Sequence, residues 1–140
     1  MNKWTILIGV FVIVVVGAVV LIILPGKTTA PTVSHSDVRV ESPLAHATIT
    51  SPVTITGEAK GNYYFEASFP IEIRDESGSV VGQGHAEAQG DWMTENFVPF
   101  TATISFTSPG AGNIGSIRLK NDNPSGDPAR DTYLDIPVQF

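Results

Sequence analysis

Apolar and polar residues alternate with a period of two along most of the chain after residue 37. Successive side chains of a β-strand point to opposite faces, so this pattern is typical of strands with one buried face. No stretch beyond Asp37 has a convincing helical period. A first strand is expected near Val38 and Val40, which brings the predicted number to about seven. The other six runs are residues 53–56, 71–74, 79–89, 101–106, 117–120 and 134–140.

Turn-forming residues separate these runs. Glu76-Ser77-Gly78-Ser79 suits a tight hairpin turn, and Gly, Pro, Asn or Asp recur at 61–62, 109–112 and 121–126. Short strands with turns between them predict an all-β fold, an immunoglobulin-like antiparallel β-sandwich of about seven strands. A small closed barrel is the alternative. Pro137 has no backbone N–H, so we expect the last strand at an edge or bulged.

An uninterrupted apolar run at residues 5–24 contains no charged side chain. Twenty helical residues at roughly 1.5 Å each span about 30 Å, the thickness of the hydrocarbon core of a bilayer. The run predicts a transmembrane helix that acts as a signal anchor. A short cytoplasmic N-terminus (1–4) would precede it, and a flexible linker (25–36) and the domain (37–140) would follow. A cleaved signal peptide is the alternative, although its apolar region is usually about 7–15 residues long.

The charge is distributed unevenly along the chain. All 14 acidic side chains lie at or beyond Asp37, against six basic ones there, so this part carries a net charge of −8. Acidic segments translocate readily, and we therefore expect the N-terminus inside the cell membrane and the domain outside it. An acidic surface argues against nucleic acid as a partner. The chain has no cysteine, which excludes a thiol enzyme and a disulfide framework.

Several short segments resemble the immunoglobulin-like domain of bacterial spore germination proteins over nearly all of residues 37–140. The most specific are S-P-V-T-I-T-G-E-A at 51–59 and F-E-A-S-F at 65–69. Further similar pieces lie at 38–43, 74–78, 99–100 and 136–138. The resemblance implies a bacterial source, an exported β-sandwich and a role at the cell envelope. Within 65–69, we expect Phe65, Ala67 and Phe69 on one side of an extended segment.

The loop at 121–127 is the best candidate for a metal site. Asn121, Asn123, Ser125 and Asp127 offer oxygens at alternate positions around Gly126, in the manner of a calcium loop. The twelfth position is Thr132, where such loops carry a bidentate Glu, and Asn and Asp also form ordinary turns. We therefore predict no cofactor, with calcium as the alternative.

Other residues give little sign of enzyme chemistry. Three histidines, at 35, 46 and 85, lack metal-ligand spacing and are expected at the surface. The carboxylates Glu58, Glu66, Asp75 and Glu76 would need to converge to act as a glycosidase pair, and the default for such residues is a solvated surface. We therefore predict that the protein is not an enzyme.

Four aromatic side chains are the candidate binding residues: Tyr63, Tyr64, Trp92 and Phe97. They lie in or near predicted loops, where aromatic rings make good anchors for a partner. Such rings also commonly close the ends of a sandwich core, so both interpretations stay open. We expect a membrane-anchored extracytoplasmic binding or adhesion module that engages a protein or cell-wall glycan. The alternative is an assembly protein that acts through pairing of a sheet edge.

Overall fold

The computed structural model describes residues 33–140, which contain eight β-strands and two short 3-10 turns, at Gly61–Tyr63 and Pro128–Arg130. In chain order the strands are β1 Val33–Ser34, β2 Val38–Ser42, β3 Val53–Lys60, β4 Ser68–Asp75, β5 Val80–Ala88, β6 Phe97–Ile104, β7 Ile114–Lys120 and β8 Tyr133–Gln139. The all-β prediction is confirmed, and the seven predicted strands correspond to β2–β8.

All strand pairs in the sheet are antiparallel, in the order β1-β2-β3-β6-β5-β4-β7-β8. The sheet curls until it nearly closes, because the segment after β2 lies along β8. There His46 N donates to Pro137 O and Ile49 N donates to Gln139 O, at 2.6 and 2.9 Å. The fold therefore lies between the two predicted forms, an open sandwich and a closed barrel.

Small residues line the inward face of β5. The inward positions of β5 are Gly82, Gly84, Ala86 and Ala88. A Cβ atom at Gly84 would overlap the side chain of Ile104 on β6. Because β5 carries so little bulk on this face, the side chain of Ile104 on the neighbouring strand β6 lies directly against its backbone.

Twenty-two buried apolar side chains of the described residues form one cluster, all of them between Val38 and Phe140. Phe69 lies at its centre, where its ring makes edge-to-face contacts with Tyr63, Tyr64 and Phe100 at centroid distances of 5.1, 5.2 and 5.0 Å. Since one continuous core draws on every strand from β2 to β8, residues 33–140 are a self-contained folding unit.

The strand order defines two ends of the molecule. The loop end consists of residues 61–67, 89–96 and 121–132, and the opposite end consists of residues 75–79 and 105–113. β1 pairs Val33 with Val40 and Ser34 with Arg39, so its backbone runs towards the loop end.

The predicted flexible linker at 25–36 overlaps the first strand. Val33 and Ser34 form a strand on the edge of β2, and His35 N closes the following turn on Val38 O at 2.8 Å. The free edge of β2 provides the partners for this extra strand. The predicted N-terminus (1–4), transmembrane helix (5–24) and most of the linker lie outside the described residues. From residue 33 onward, the structure contains no helix long and apolar enough to cross a membrane.

Candidate functional site

The loop at residues 61–67 is called the hairpin, because Phe65 pairs with Ser68 across a two-residue turn. It is fixed to the core by its two tyrosines. The Tyr63 hydroxyl donates to Leu119 O at 2.9 Å, and the Tyr64 hydroxyl donates to Val98 O at 2.8 Å. Their side chains are only 1 % and 4 % exposed, and this burial raises the pKa of both phenols above the ordinary range. Each ring therefore packs in the apolar core, and its hydroxyl group is hydrogen-bonded to a strand carbonyl.

The hairpin turns through two residues in an unusual conformation. Glu66 and Ala67 have φ of 50° and 63°, the left-handed region that favours glycine. Phe65 and Ser68 exchange two backbone hydrogen bonds across them, at 2.9 and 3.1 Å. Two consecutive positive φ values match the tight turns whose twist suits a β-hairpin. This turn carries Phe65 out of the core, with 41 % of its surface exposed.

Two predictions about this region are corrected. Tyr63 and Tyr64 belong to the core and do not form an exposed binding platform, since their rings pack on Phe69. Residues 65–69 are not one extended segment, because the turn at Glu66 and Ala67 separates exposed Phe65 from buried Phe69.

The 89–96 loop lies directly over the first residue of the hairpin. A Cβ atom at Gly61 would overlap the carbonyl oxygens of Trp92 and Thr94, so only glycine fits there. The Trp92 ring is half-buried and packs on the core. Its neighbour Met93 is 76 % exposed, while the Met93 amide donates to Asp91 Oδ1 at 3.1 Å. The loop thus presents an apolar side chain to solvent from a fixed backbone.

Phe97 lies on the outer face of the sheet, as the first residue of β6, and not in the loop. The guanidinium of Arg39 sits over its ring at 3.6 Å from the centroid, and Lys60 Nζ is 5.6 Å away. A cation over an aromatic face makes an attractive contact, so that face of the Phe97 ring is already occupied within the protein. Of the four predicted aromatic residues, only Trp92 is a half-buried loop residue, since Tyr63 and Tyr64 are buried and Phe97 lies on a strand.

Two adjacent depressions open at the loop end and share Asn62. One, of about 380 Å³, is lined by Asp37, Lys60, Asn62, Thr94 and Glu95. The other, of about 390 Å³, is lined by Asn62, Tyr64, Phe65, residues 121–125 and Arg130. Three loops and the start of β2 therefore meet around one asparagine.

Asp37 joins the start of β2 to the hairpin. Its carboxylate accepts hydrogen bonds from Asn62 Nδ2 and Lys60 Nζ, both at 3.1 Å. These bonds, the one from Asn62 first and the one from Lys60 second, lower the pKa of Asp37. The carboxylate is a structural tie that fixes the wall of the first depression.

The polar loop at 121–132 satisfies its own hydrogen bonds. Asn123 Nδ2 donates to Asp127 O and Asp131 Oδ1, both at 2.8 Å, and the Ser125 hydroxyl donates to Asn123 Oδ1 at 2.6 Å. Asn121 Oδ1 accepts from Thr132 N at 2.7 Å. The oxygens proposed as calcium ligands are thus used within the loop. Residues 33–140 contain no group of three or more His, Asp or Glu side chains placed to hold a metal ion.

The carboxylates considered for glycoside hydrolysis do not converge. Glu58 lies on β3, 4.0 Å from Arg39, and Glu66 lies in the hairpin turn. Asp75 and Glu76 lie at the opposite end. There Asp75 Oδ1 accepts a hydrogen bond from the Ser77 hydroxyl, and this bond lowers the pKa of Asp75. A depression of about 440 Å³ at that end is lined by Asp75 and Glu76 together with Pro109 and Ile114. His35, His46 and His85 are exposed, as predicted.

The architecture is that of an all-β antiparallel domain with three loops at the loop end. Residues 37–127 match the immunoglobulin-like domain of bacterial spore germination. Because this match covers well over half of the chain, the chain belongs to that family. It ends before β8, whereas the resemblance noted from the sequence extended to 136–138. Neither a curated protein nor a solved structure matches the chain.

Sequence patterns missed three residues that shape the loop end. In the sequence, Asn62 has the signal of a turn former, Phe65 has that of a core residue, and Met93 has no signal of its own. The available signal was Gly61, followed shortly by the adjacent pair Tyr63-Tyr64. A glycine at the end of a strand indicates close approach of another backbone, and two adjacent aromatic residues interrupt the alternation of a strand.

Proposed function

We propose that the protein is an extracytoplasmic binding module of the bacterial cell envelope, held at the membrane by residues 5–24. Its loop end engages a protein or cell-wall partner. The observation that carries this proposal is the convergence of three loops around Asn62, which creates two neighbouring depressions. Phe65 lines one of them, and exposed Met93 precedes Thr94, which lines the other. Binding sites are commonly built from loops positioned by a rigid scaffold.

The fixed backbone of the 61–67 hairpin and of the 89–96 loop supports a binding role. Tyr63 and Tyr64 attach the hairpin to β7 and β6, and Gly61 lets the 89–96 loop rest on it. A surface that is already ordered loses little conformational entropy when a partner binds. Met93 and Phe65 are thus presented from fixed backbone.

The direction of the chain supports a membrane-held arrangement. β1 runs towards the loop end, so Val33, its first residue, lies farther from that end than Ser34 does. An anchor before β1 would leave the loop end pointing away from the membrane, accessible to a partner.

The alternative, assembly through sheet-edge pairing, has less support. Backbone bonds from His46 and Ile49 cover the end of β8, and Pro137 offers no donor. The uncovered part of that edge is short, and short edges pair poorly with another chain.

Partner binding is tested by incubating purified residues 33–140 with isolated cell-wall sacculi and measuring the fraction that sediments. A glycan partner predicts sedimentation that soluble wall fragments compete away and that Met93→Ser weakens. Ile114→Ser, which removes an exposed apolar side chain from the opposite end, is the matched control. Equal effects of both substitutions would contradict a site at the loop end.

Location is tested separately with a single cysteine, because the natural chain has none. Glu76→Cys places a thiol in an exposed turn. We expect a membrane-impermeant maleimide to label full-length Glu76→Cys in intact bacteria. Labelling only after lysis would refute the extracytoplasmic location.

A further inference from the structure

We propose that the partner of the loop end is a basic, partly apolar segment of another protein. This inference rests on the proposed function and names the class of partner. It starts from the apolar side chains that the loop end exposes, Phe65 at 41 % and Met93 at 76 %. Both come from loops whose backbone is fixed by core contacts, so their exposure is built into the fold.

Acidic residues lie close to these two residues in the chain. Glu66 follows Phe65 in the hairpin turn, and Asp91 and Glu95 flank Met93 in the 89–96 loop. Asp122 lines the second depression and Glu95 the first. Each exposed apolar side chain thus has a carboxylate close by in the chain.

The charges of the loop end are not balanced internally. Its basic side chains are already paired: Lys60 with Asp37 at 3.1 Å, Lys120 with Glu72 at 3.8 Å and Arg130 with Asp127 at 3.9 Å. Within residues 33–140, five carboxylates of this end form no ion pair: Glu66, Asp91, Glu95, Asp122 and Asp131.

Charge complementarity selects among the possible partners. An anionic wall polymer or lipid surface would be repelled by these carboxylates, and a neutral glycan would leave them unused. A protein segment that combines lysine or arginine with leucine-like side chains satisfies both the carboxylates and the exposed apolar groups. Such a segment is also attracted over a distance, which raises its association rate.

The test uses a short soluble probe peptide with lysine and leucine residues separated by glycine. A matched peptide carries glutamate in place of each lysine. Binding to residues 33–140 is measured by fluorescence anisotropy and mapped by amide chemical shifts. We expect the lysine peptide to bind, more weakly as salt is raised, and to shift amides in 61–66 and 91–96. The glutamate peptide should not bind.

Two double variants with the same change in net charge locate the interaction. Glu66→Lys with Glu95→Lys alters the loop end, and Glu41→Lys with Glu76→Lys alters exposed positions elsewhere. We expect the first pair to weaken binding about tenfold or more and the second to change it by less than about threefold. Thermal unfolding of each variant confirms that it is folded.

Equal weakening by both double variants would overturn the inference, because binding would then reflect total charge. Equal affinity for the glutamate peptide would overturn it as well. If neither peptide binds while sacculi bind in a Met93-dependent manner, the partner is a glycan: this inference fails and the proposed function stands. If neither peptides nor sacculi bind, both fail.

Discussion

The 61–67 hairpin and the 121–132 loop lie next to each other at the loop end, where Asp122 N donates to Tyr63 O at 2.9 Å. They are held by different forces. The hairpin is fixed by two buried rings that pack on Phe69, whereas the loop is fixed by hydrogen bonds among its own exposed polar side chains. The first depends on the core and the second does not.

This difference gives the two regions different roles in binding. A hairpin attached to the core transmits little motion and keeps Phe65 and Asn62 in one position. A loop held by exposed hydrogen bonds opens locally at low free-energy cost, since each bond is worth only about 0.5–1.5 kcal/mol. The second depression therefore has one firm wall and one adjustable wall.

The largest effect should come from removing a ring of the hairpin. Tyr63→Ala deletes a side chain that is 1 % exposed, and we expect a loss of about 3–5 kcal/mol in the free energy of unfolding, measured by urea denaturation. Tyr133→Ala is the control, because that tyrosine is 53 % exposed and contacts Arg118 at the surface. Similar losses in the two variants would show that the hairpin is not fixed by the core.

The contact between the hairpin and the 89–96 loop is tested by Gly61→Ala. The added methyl group would overlap two backbone carbonyl oxygens, which cannot rotate away. We expect a loss of about 1–3 kcal/mol, together with chemical-shift changes in residues 91–95. Gly78→Ala is a useful contrast, because a Cβ atom there has open space and only its φ of 84° opposes it.

The left-handed turn predicts a gain in stability. Ala67→Gly relieves the conformational strain of a non-glycine residue at φ of 63°, and we expect about 1 kcal/mol of additional stability after the entropy of glycine is offset. Ala47→Gly, at a position without positive φ, should be neutral or destabilising. A loss of stability in Ala67→Gly would mean that the turn is unstrained.

Much of the fold could be predicted from the sequence, because alternation reports directly on which face of a strand is buried. Ile71, Ile73, Ile117, Leu119 and Ile136 all lie in the core as their patterns indicate. The near closure of the sheet could not be predicted, since it depends on backbone bonds from 46–49 to β8 that no side-chain pattern encodes.

The candidate site was harder to predict. An aromatic residue in a loop has the same sequence signal whether its ring faces solvent or the core. Tyr63 and Tyr64 face inward, where their hydroxyls reach the carbonyls of Leu119 and Val98. These partners are distant in the sequence, so no local pattern indicates them. Trp92 stays a candidate, and Met93 emerges only from the geometry.

The polar loop should respond to mutation only locally. Asn123→Ala removes the amide that bridges Asp127 and Asp131, and we expect at most about 1 kcal/mol of lost stability because these groups can bond to water instead. Amide hydrogen exchange should accelerate within 121–132 and stay unchanged in 61–67. Acceleration that spreads into the hairpin would remove the distinction between the two regions.

The smallest effect concerns the tie between β2 and the hairpin, and it depends on pH. Hydrogen bonds from Asn62 and Lys60 lower the pKa of Asp37 below its ordinary value of 3.8. The folded state therefore holds the ionised form more strongly than the unfolded chain does. This contribution is complete above about pH 5, and it is lost as the pH falls through the lowered pKa.

We expect Asp37→Asn to be less stable than the natural protein at neutral pH by well under about 1 kcal/mol, as for other partly exposed ion pairs. The difference should shrink as the pH is lowered below about 4, because the carboxylate of the natural protein then becomes neutral too. Thermal melts of both proteins between neutral and acidic pH measure it, with Glu76→Gln at the opposite end as the control. A gap that stays constant down to the most acidic pH would mean that Asp37 contributes through shape alone, and the hairpin would then depend on its tyrosines without help from charge.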